Sequence, residues 1–234
     1  MLEGKFNLTK EQNIFLAKKT IVENIYHLAK LEGVNVTFPE TQTILNGVSV
    51  GGLSMDDVQV ILNLRDAWKY TLESIDEPFS LDFACKVNEN VSRNESLDWG
   101  VLRYGTVGIS GVDYVPSIPV KEEVEDKIDV FLKNENVTES ALDYYVWAMR
   151  SQLFWDGNKR TSNICANKLL IENGKGILMV KEEHLNEFHV HLSEFYESND
   201  SRQLKHFLYD KCLYGMEFEN QRTRDKKKDI DLEM

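Results

Sequence analysis

Residues 149–174 read MRSQLFWDGNKRTSNICANKLLIENG, and five consecutive positions in their middle could do chemistry. Asp156-Gly157-Asn158-Lys159-Arg160 is a tight polar turn between two apolar-periodic segments. A helix starting near Asn158 leaves its first backbone N–H groups unpaired and carries partial positive charge at that end. Gly157 lets the backbone approach a ligand closely. Lys159 and Arg160 put two cations in the first helical turn, where positive charge opposes the helix dipole. A sequence built for stability alone would favour Asp or Glu there. An anionic ligand, above all a polyphosphate, resolves that conflict. Asp156 beside it suits a Mg²⁺ ion bridging phosphate oxygens. The bland alternative is an ordinary helix start, with Asp156 as N-cap and two solvated basic side chains. Chemistry at a phosphate cradle usually has a titrating base beside it, and the residue in the obvious place is Gln152. An amide has no useful basicity near neutrality.

The elements that position this turn are mostly helical. Thr9 followed by Gln12 is a capping-box signature that opens a long periodic stretch, with Ile14, Phe15, Ile21, Ile25 and Leu28 on one side, ending near Gly33. A second helix is expected over 39–46, with Pro39 at its first position and Gly47 just past its end. Ser54 reads as the N-cap of a long helix through Val58, Ile61, Leu62, Leu64 and Trp68. Pro78 marks a break, after which SLDFACKVNENVSRN resumes the helical pattern. In WGVLRYGTVGISGVDYVPSIPV, alternation of Val101, Arg103, Val107 and Ile109, then Ser110-Gly111 and an apolar run to Val115, predicts a β-hairpin. Pro116 and Pro119 close it, and no other strand pair is expected. Helical spacing returns in VKEEVEDKIDVFLKN, over 138–154, over 158–173 with Gly174 as its stop, and over 182–196 and 202–214. The fold class expected is all-α with one β-hairpin, without internal repeats. The tail QRTRDKKKDIDLEM has mixed charge and little apolar content and is expected to fray.

Bulk composition narrows the functional classes. A chain of 234 residues that is 42% hydrophobic and 10% aromatic can bury a proper core. A net charge of −12 argues against broad nucleic-acid or membrane binding, which needs concentrated positive charge. Cys85, Cys165 and Cys212 are scattered in apolar helical segments and read as buried, reduced thiols. No signal-peptide pattern and no run long and apolar enough to span a bilayer is found, so the expected compartment is the cytoplasm.

QLFWDGNKRTSN resembles the active-site motif of the Fic (Fido) family, HxFx(D/E)GNGRxxR, with Phe154, Asp156, Gly157, Asn158 and Arg160 matching in type and spacing. GVLRYGTVGISGVDYVPSIP resembles the family's flap, and LAKLEGVNVTFPETQTILNG resembles the inhibitory-helix region of the subclass in which that helix precedes the core. Together these cover most of residues 20–175 in the family's order. The resemblance implies a helical bundle carrying the hairpin flap. It divides the chain into an N-terminal helical segment (1–78), a Fic core (79–215) and a charged tail (216–234). Fic proteins typically transfer AMP from ATP to a hydroxyl of a protein target. By resemblance, Asp156 would hold Mg²⁺, and Phe154, Gly157, Asn158, Lys159, Arg160 and Asn163 would bind the nucleotide, with Arg160 clamping a phosphate. The flap residues Thr106, Val107, Gly108 and Ile109 would pair with an extended piece of the target, as an added strand does. ATP and Mg²⁺ are thus the implied cofactors, and a nucleotide and a protein target the implied partners. A homodimer is a further expectation, since family members often pair through helical faces.

Four departures from the motif bear on activity. The family histidine that takes the proton from the attacking hydroxyl falls at Gln152; losing such a base typically costs roughly 10²–10⁴-fold in rate. The last arginine of the motif falls at Asn163. The inhibitory motif (S/T)xxxE(G/N) appears as Leu28 to Glu32-Gly33, and the glutamate's usual partner is that missing arginine, so Glu32 is expected either to be regulatory or simply to end a helix. Lys159 replaces the family glycine, a GNKR form that resembles the Doc toxin branch, which transfers a phosphate and keeps its histidine. His27, His184, His189, His191 and His206 are the chain's imidazoles. Of these His27, beside the inhibitory-like helix, is the candidate to approach the pocket; HLNEFHVH lacks the HExxH spacing of a zinc site. The expected function is a nucleotide-binding relative of protein adenylyltransferases with standard catalysis impaired. The alternatives are a nucleotidyl- or phosphotransferase with a non-standard base, or a non-catalytic module binding peptide through the flap.

Overall fold

Apolar residues at helical spacing dominate the chain, and the computed structural model, which describes residues 2–217, is correspondingly all-α. Its helices are α1 (Lys10–Lys19), α2 (Ile21–Leu31), α3 (Phe38–Leu45), α4 (Met55–Glu73), α5 (Leu81–Val91), α6 (Lys121–Leu132), α7 (Val137–Ser151), α8 (Asn158–Glu172), α9 (Leu185–Ser198) and α10 (Arg202–Cys212). Thr9–Gln12 and Ser54–Asp57 form reciprocal capping boxes, which fix the starts of α1 and α4. The single periodic stretch expected from Thr9 to Gly33 is instead two helices. At Thr20 the hydroxyl donates back to Leu16 O and the Thr20 carbonyl is shared with the Asn24 side chain, so local side-chain bonds interrupt the ladder. Residues 218–234, most of the expected charged tail, lie outside the described residues.

The helices surround α8. Every residue of α8 from Arg160 to Ile171 is buried, against α7 and α5 above all, with α4 and α1 completing the wall. A helix buried all round would ordinarily be apolar. This one carries Asn163, Asn167 and Lys168, so each polar group needs an internal partner. The Lys168 ammonium donates to Ile75 O at 3.0 Å and to Glu172 at 2.5 Å. The Asn167 amide exchanges two bonds of 2.8 Å with the backbone of Leu178. From α1, Asn13 does the same with Gly176, at 3.0 and 2.7 Å. These clamps hold β1 (Ile177–Leu178), which pairs antiparallel with β2 (Leu213–Tyr214).

That pair is the only ladder among the described residues, so the hairpin expected over 101–115 is corrected. The segment has no regular secondary structure and turns after Ile109, whose carbonyl accepts from Val112 N, and its arms share no ladder. The cause is Arg103. Its guanidinium is buried and donates to the carbonyls of Gly105, Ser117, Gln152 and, at 3.2 and 3.4 Å, Pro116 and Ser151. Its own N–H donates to Leu153 O at 3.0 Å. One cation thereby joins both arms of the loop to the end of α7, in place of strand pairing. Replacing it with an uncharged side chain of similar length leaves those carbonyls without their donor. Arg103→Met is expected to lower unfolding stability by about 2–4 kcal/mol, with helical circular dichroism retained at room temperature. Urea denaturation measures it, and an unchanged midpoint would contradict this role.

Candidate functional site

The polar turn is built by side chains that fix backbone. α7 ends because Gln152 takes a left-handed conformation, φ 46° and ψ 60°. Asn158, the first residue of α8, then braces the loop. Its carbonyl oxygen accepts from Phe154 N at 2.9 Å, and its amide donates to Phe154 O at 2.9 Å and to Gln152 Oε1 at 3.1 Å. The Gln152 amide nitrogen donates to Met149 O at 2.6 Å. Gln152 is therefore held at both ends of its amide, as a strut rather than an idle substitute.

Gly157 is the N-cap of α8 with φ 71°, and α5 presses against it. Asn88 and Ser92 of that wall each donate to Asp156 O at 3.0 Å. A Cβ at position 157 would lie 2.3 Å from Ser92 Oγ and 2.7 Å from Val91 Cγ1. The glycine is thus required by the chain's own packing, in addition to any approach by a ligand. The bland expectation for the turn is corrected too: Asp156 is not the N-cap, and Arg160 is only 2% exposed.

The two cations are met by the protein's own carboxylates. Arg160 Nη1 lies 2.7 Å from Glu95 Oε2, its Nη2 3.6 Å from Asp156 Oδ1 and its Nε 3.7 Å from Glu32 Oε2. Lys159 Nζ lies 3.6 Å from Glu32 Oε1. Burial pushes the Arg160 guanidinium down, but Glu32 and then Glu95 outweigh it and its pKa is raised. Glu32 comes from the C-terminal end of α2, just before Gly33, so it does end a helix, and from there it reaches the first turn of α8. Its expected arginine partner is absent, and Lys159 and Arg160 take that place. The match is imperfect: Glu32 Oε1 and Arg160 Nε are buried without a hydrogen-bond partner among the described residues. Three carboxylates face two cations, an excess of one negative charge.

These groups border a cavity of about 390 Å³. Gln152, Asp156, Asn158 and Lys159 form one wall, and Glu32 another. Gly108, Ile109 and Ser110 of the loop lie opposite, and α9 supplies His189, Ser193 and Tyr196. Of the sequence-predicted set, Thr106 and Val107 do not line it, and Phe154 and Arg160 sit behind the wall at 2% exposure. Asn163 points away, buried with the Asn167 amide at 3.0 Å from its side-chain oxygen. His27 lies elsewhere, its Nδ1 accepting from Glu182 N at 3.1 Å. Sequence reasoning missed Glu95, Trp155 and the α9 wall. Glu95 has no local signal, because its partner is 65 residues away; the face of α9 turned to the cavity follows only from its packing. No cluster of three or more His, Cys, Asp or Glu suited to a metal occurs among the described residues, so an ion at Asp156 would need phosphate oxygens to complete its shell. The helix start and Lys159 fit a phosphate on condition that Glu32 yields its place, with Arg160 behind the wall.

Gly157→Ala is expected to cost about 2–4 kcal/mol of stability through left-handed strain and overpacking on α5. The loss appears in thermal or urea unfolding without any ligand; a neutral substitution would show that α5 gives way freely.

No family model matches the chain. Among curated proteins it is similar to the protein adenylyltransferase Fic of Aedes aegypti, 25% identical over 205 residues, and to that of Drosophila yakuba, 26% identical over 206. In both cases 82% of this chain aligns with 40% of the relative, so the chain spans about two-fifths of their length. Among solved structures it is similar to a Fic-1 fragment from C. elegans, with TM-score 0.73 and 21% identity over 83% of this chain and 61% of that one. A Fic-domain signaling protein from Bacteroides thetaiotaomicron superposes with TM-score 0.66 and 18% identity, covering 79% of this chain and 75% of that one. No described helix is long and apolar enough to cross a membrane. The helical architecture and these likenesses converge on one fold, that of the solved Fic-domain structures to which the chain is similar.

Proposed function

We propose that the cavity binds a nucleotide, ATP with Mg²⁺, and that the chain is a relative of protein adenylyltransferases whose standard transfer of AMP to a protein hydroxyl is impaired. The observation that carries this reading is the pairing of Lys159 and Arg160, in the first turn of α8, with a carboxylate delivered from a different element. Glu95, in the loop after α5, is further fixed by the Asn63 amide at 2.6 Å. Glu32 instead ends α2 and occupies the position a phosphate would take. Displacing it leaves Lys159 facing the cavity and Arg160 balanced by Glu95 and Asp156, a neutral cradle that Mg²⁺ at Asp156 would make positive. Asp156, with a half-exposed side chain, would hold Mg²⁺, which when bound would offset phosphate charge and activate the phosphorus toward attack. The stretch 106–109, free of any ladder with the loop's other arm, would receive a segment of the protein target by strand addition. Gln152 cannot accept a proton, and its amide is already engaged at both ends.

Calorimetric titration with ATP and Mg²⁺ tests the binding. Glu32→Ala is expected to tighten binding about tenfold over wild type, equivalent to about 1.4 kcal/mol, because one carboxylate no longer competes with the phosphates. Folded Glu32→Ala that evolves no heat at millimolar nucleotide would remove the reading. Gln152→His is expected to raise transfer of label from α-labelled ATP to protein by at least about tenfold. A Gln152→His protein no better than wild type would show that the missing imidazole is not what limits the reaction.

A further inference from the structure

The chemistry above lacks a proton acceptor, and the cavity walls offer few groups to supply one. Asp156 accepts from Gly157 N at 2.5 Å and faces Arg160. Glu32 is engaged by Lys159 and Arg160. Tyr196 is a phenol whose pKa burial raises, so it holds its proton. His189 differs. It reaches the cavity from α9, a wall that none of the motif residues occupy. Within the described chain its ring makes an aromatic contact with Phe188, and neither of its nitrogens takes part in a hydrogen bond or ion pair.

We propose that His189 is the proton acceptor of this site, taking the role that Gln152 cannot fill. This rests on the nucleotide-binding reading. The oxygen of an attacking hydroxyl, or of water, forms a bond to the α-phosphorus of ATP. The bond from that phosphorus to the bridging oxygen breaks, and pyrophosphate leaves with the electron pair. The attacking group's proton passes to a ring nitrogen of His189. The charged groups that face the imidazole are Lys159 from α8 and Glu32 from the end of α2. Burial and then Lys159 hold its pKa below the ordinary histidine value, with Glu32 opposing. That direction favours the uncharged ring, the form that accepts a proton.

The test uses the whole chain with ATP, ADP and Mg²⁺ as probes. Calorimetry comes first: His189→Asn is expected to bind ADP·Mg²⁺ within about threefold of wild type, since an acceptor acts on the attacking group rather than on ligand affinity. Formation of AMP from ATP, with water as acceptor, is then followed from about pH 5 to about pH 8. Wild-type rate should climb as the imidazole loses its proton, then level off; His189→Asn should be slower by at least about tenfold and lose that climb. Independently, the His189 Hε1 resonance, identified by its disappearance in His189→Asn, should titrate at higher pH when ADP·Mg²⁺ is bound, because nearby phosphate favours the imidazolium. Retention of wild-type rate and pH profile by His189→Asn and by a second variant, His189→Gln, overturns the assignment. So does a resonance indifferent to nucleotide, or a wild type that binds ATP and forms no AMP. Absence of nucleotide binding in every variant, Glu32→Ala included, overturns the functional reading itself, and is seen by calorimetry before any rate is measured.

Discussion

Two cations in the first turn of a buried helix have to be neutralised, and the origin of their counter-charges sets the state of this protein. An unpaired guanidinium at 2% exposure would be severely destabilising. Glu95 meets it directly at 2.7 Å and is anchored by Asn63; Asp156 meets it from the same turn. These contacts belong to the scaffold. Glu32 is a different kind of partner, longer in its contacts and contributed by a helix end. Two counter-charges thus come from the turn and the loop after α5, and the third from the end of α2. Asn163 takes no part in this arrangement, being buried beside Asn167.

The rest of the fold holds that turn still with hydrogen bonds from side chains to backbone. Asn158 braces the loop after α7, Asn88 and Ser92 hold the carbonyl of Asp156, and Arg103 gathers carbonyls from the loop and from the end of α7. On the far side of α8, Asn13 and Asn167 clamp the short strand that follows it. In a buried setting each such bond is costly to lose, because the carbonyl or amide left behind cannot turn to water. That explains how a helix as polar as α8 can sit at the centre of the bundle, and why its first turn is rigid enough to present charge in a fixed direction.

Much of this was legible in the sequence where the signal is local. The capping pairs at Thr9 and Ser54, the stop at Gly174 and the conflict between Lys159, Arg160 and the helix dipole are all readable over three or four residues. What escaped reading depends on distant partners. Alternation over 101–109 has strand periodicity, yet nothing in it reveals that the Arg103 side chain takes up the carbonyls around it. Glu95 looks like any exposed acid in a polar loop until Arg160 is placed beside it. Thr20 fits a helix by spacing, and only its back-bonded hydroxyl shows the break. The run HLNEFHVH displays its imidazoles openly, but which of them turns toward a cavity is decided by how α9 packs. Of the residues that the resemblance singled out, Gln152, Asp156, Asn158, Lys159, Gly108 and Ile109 line the cavity, whereas Phe154, Arg160 and Asn163 are buried beside it and Thr106 and Val107 lie off it, an arrangement that motif spacing alone does not reveal.

Trp155 gives the cavity an optical property. Its indole lines the space, stacks edge-on with Tyr104 at 5.2 Å, and keeps a buried N–H without an acceptor among the described residues. Glycine at 105 is what permits this, since a Cβ there would fall 2.6 Å from the ring. Of the chain's four tryptophans, Trp68 is sealed in the core, and only Trp155 borders this space. Indole emission is sensitive to hydrogen bonding and to nearby charge, so whatever enters beside Lys159 changes the surroundings of a chromophore already in place. The protein carries an intrinsic fluorescent gauge of its own occupancy.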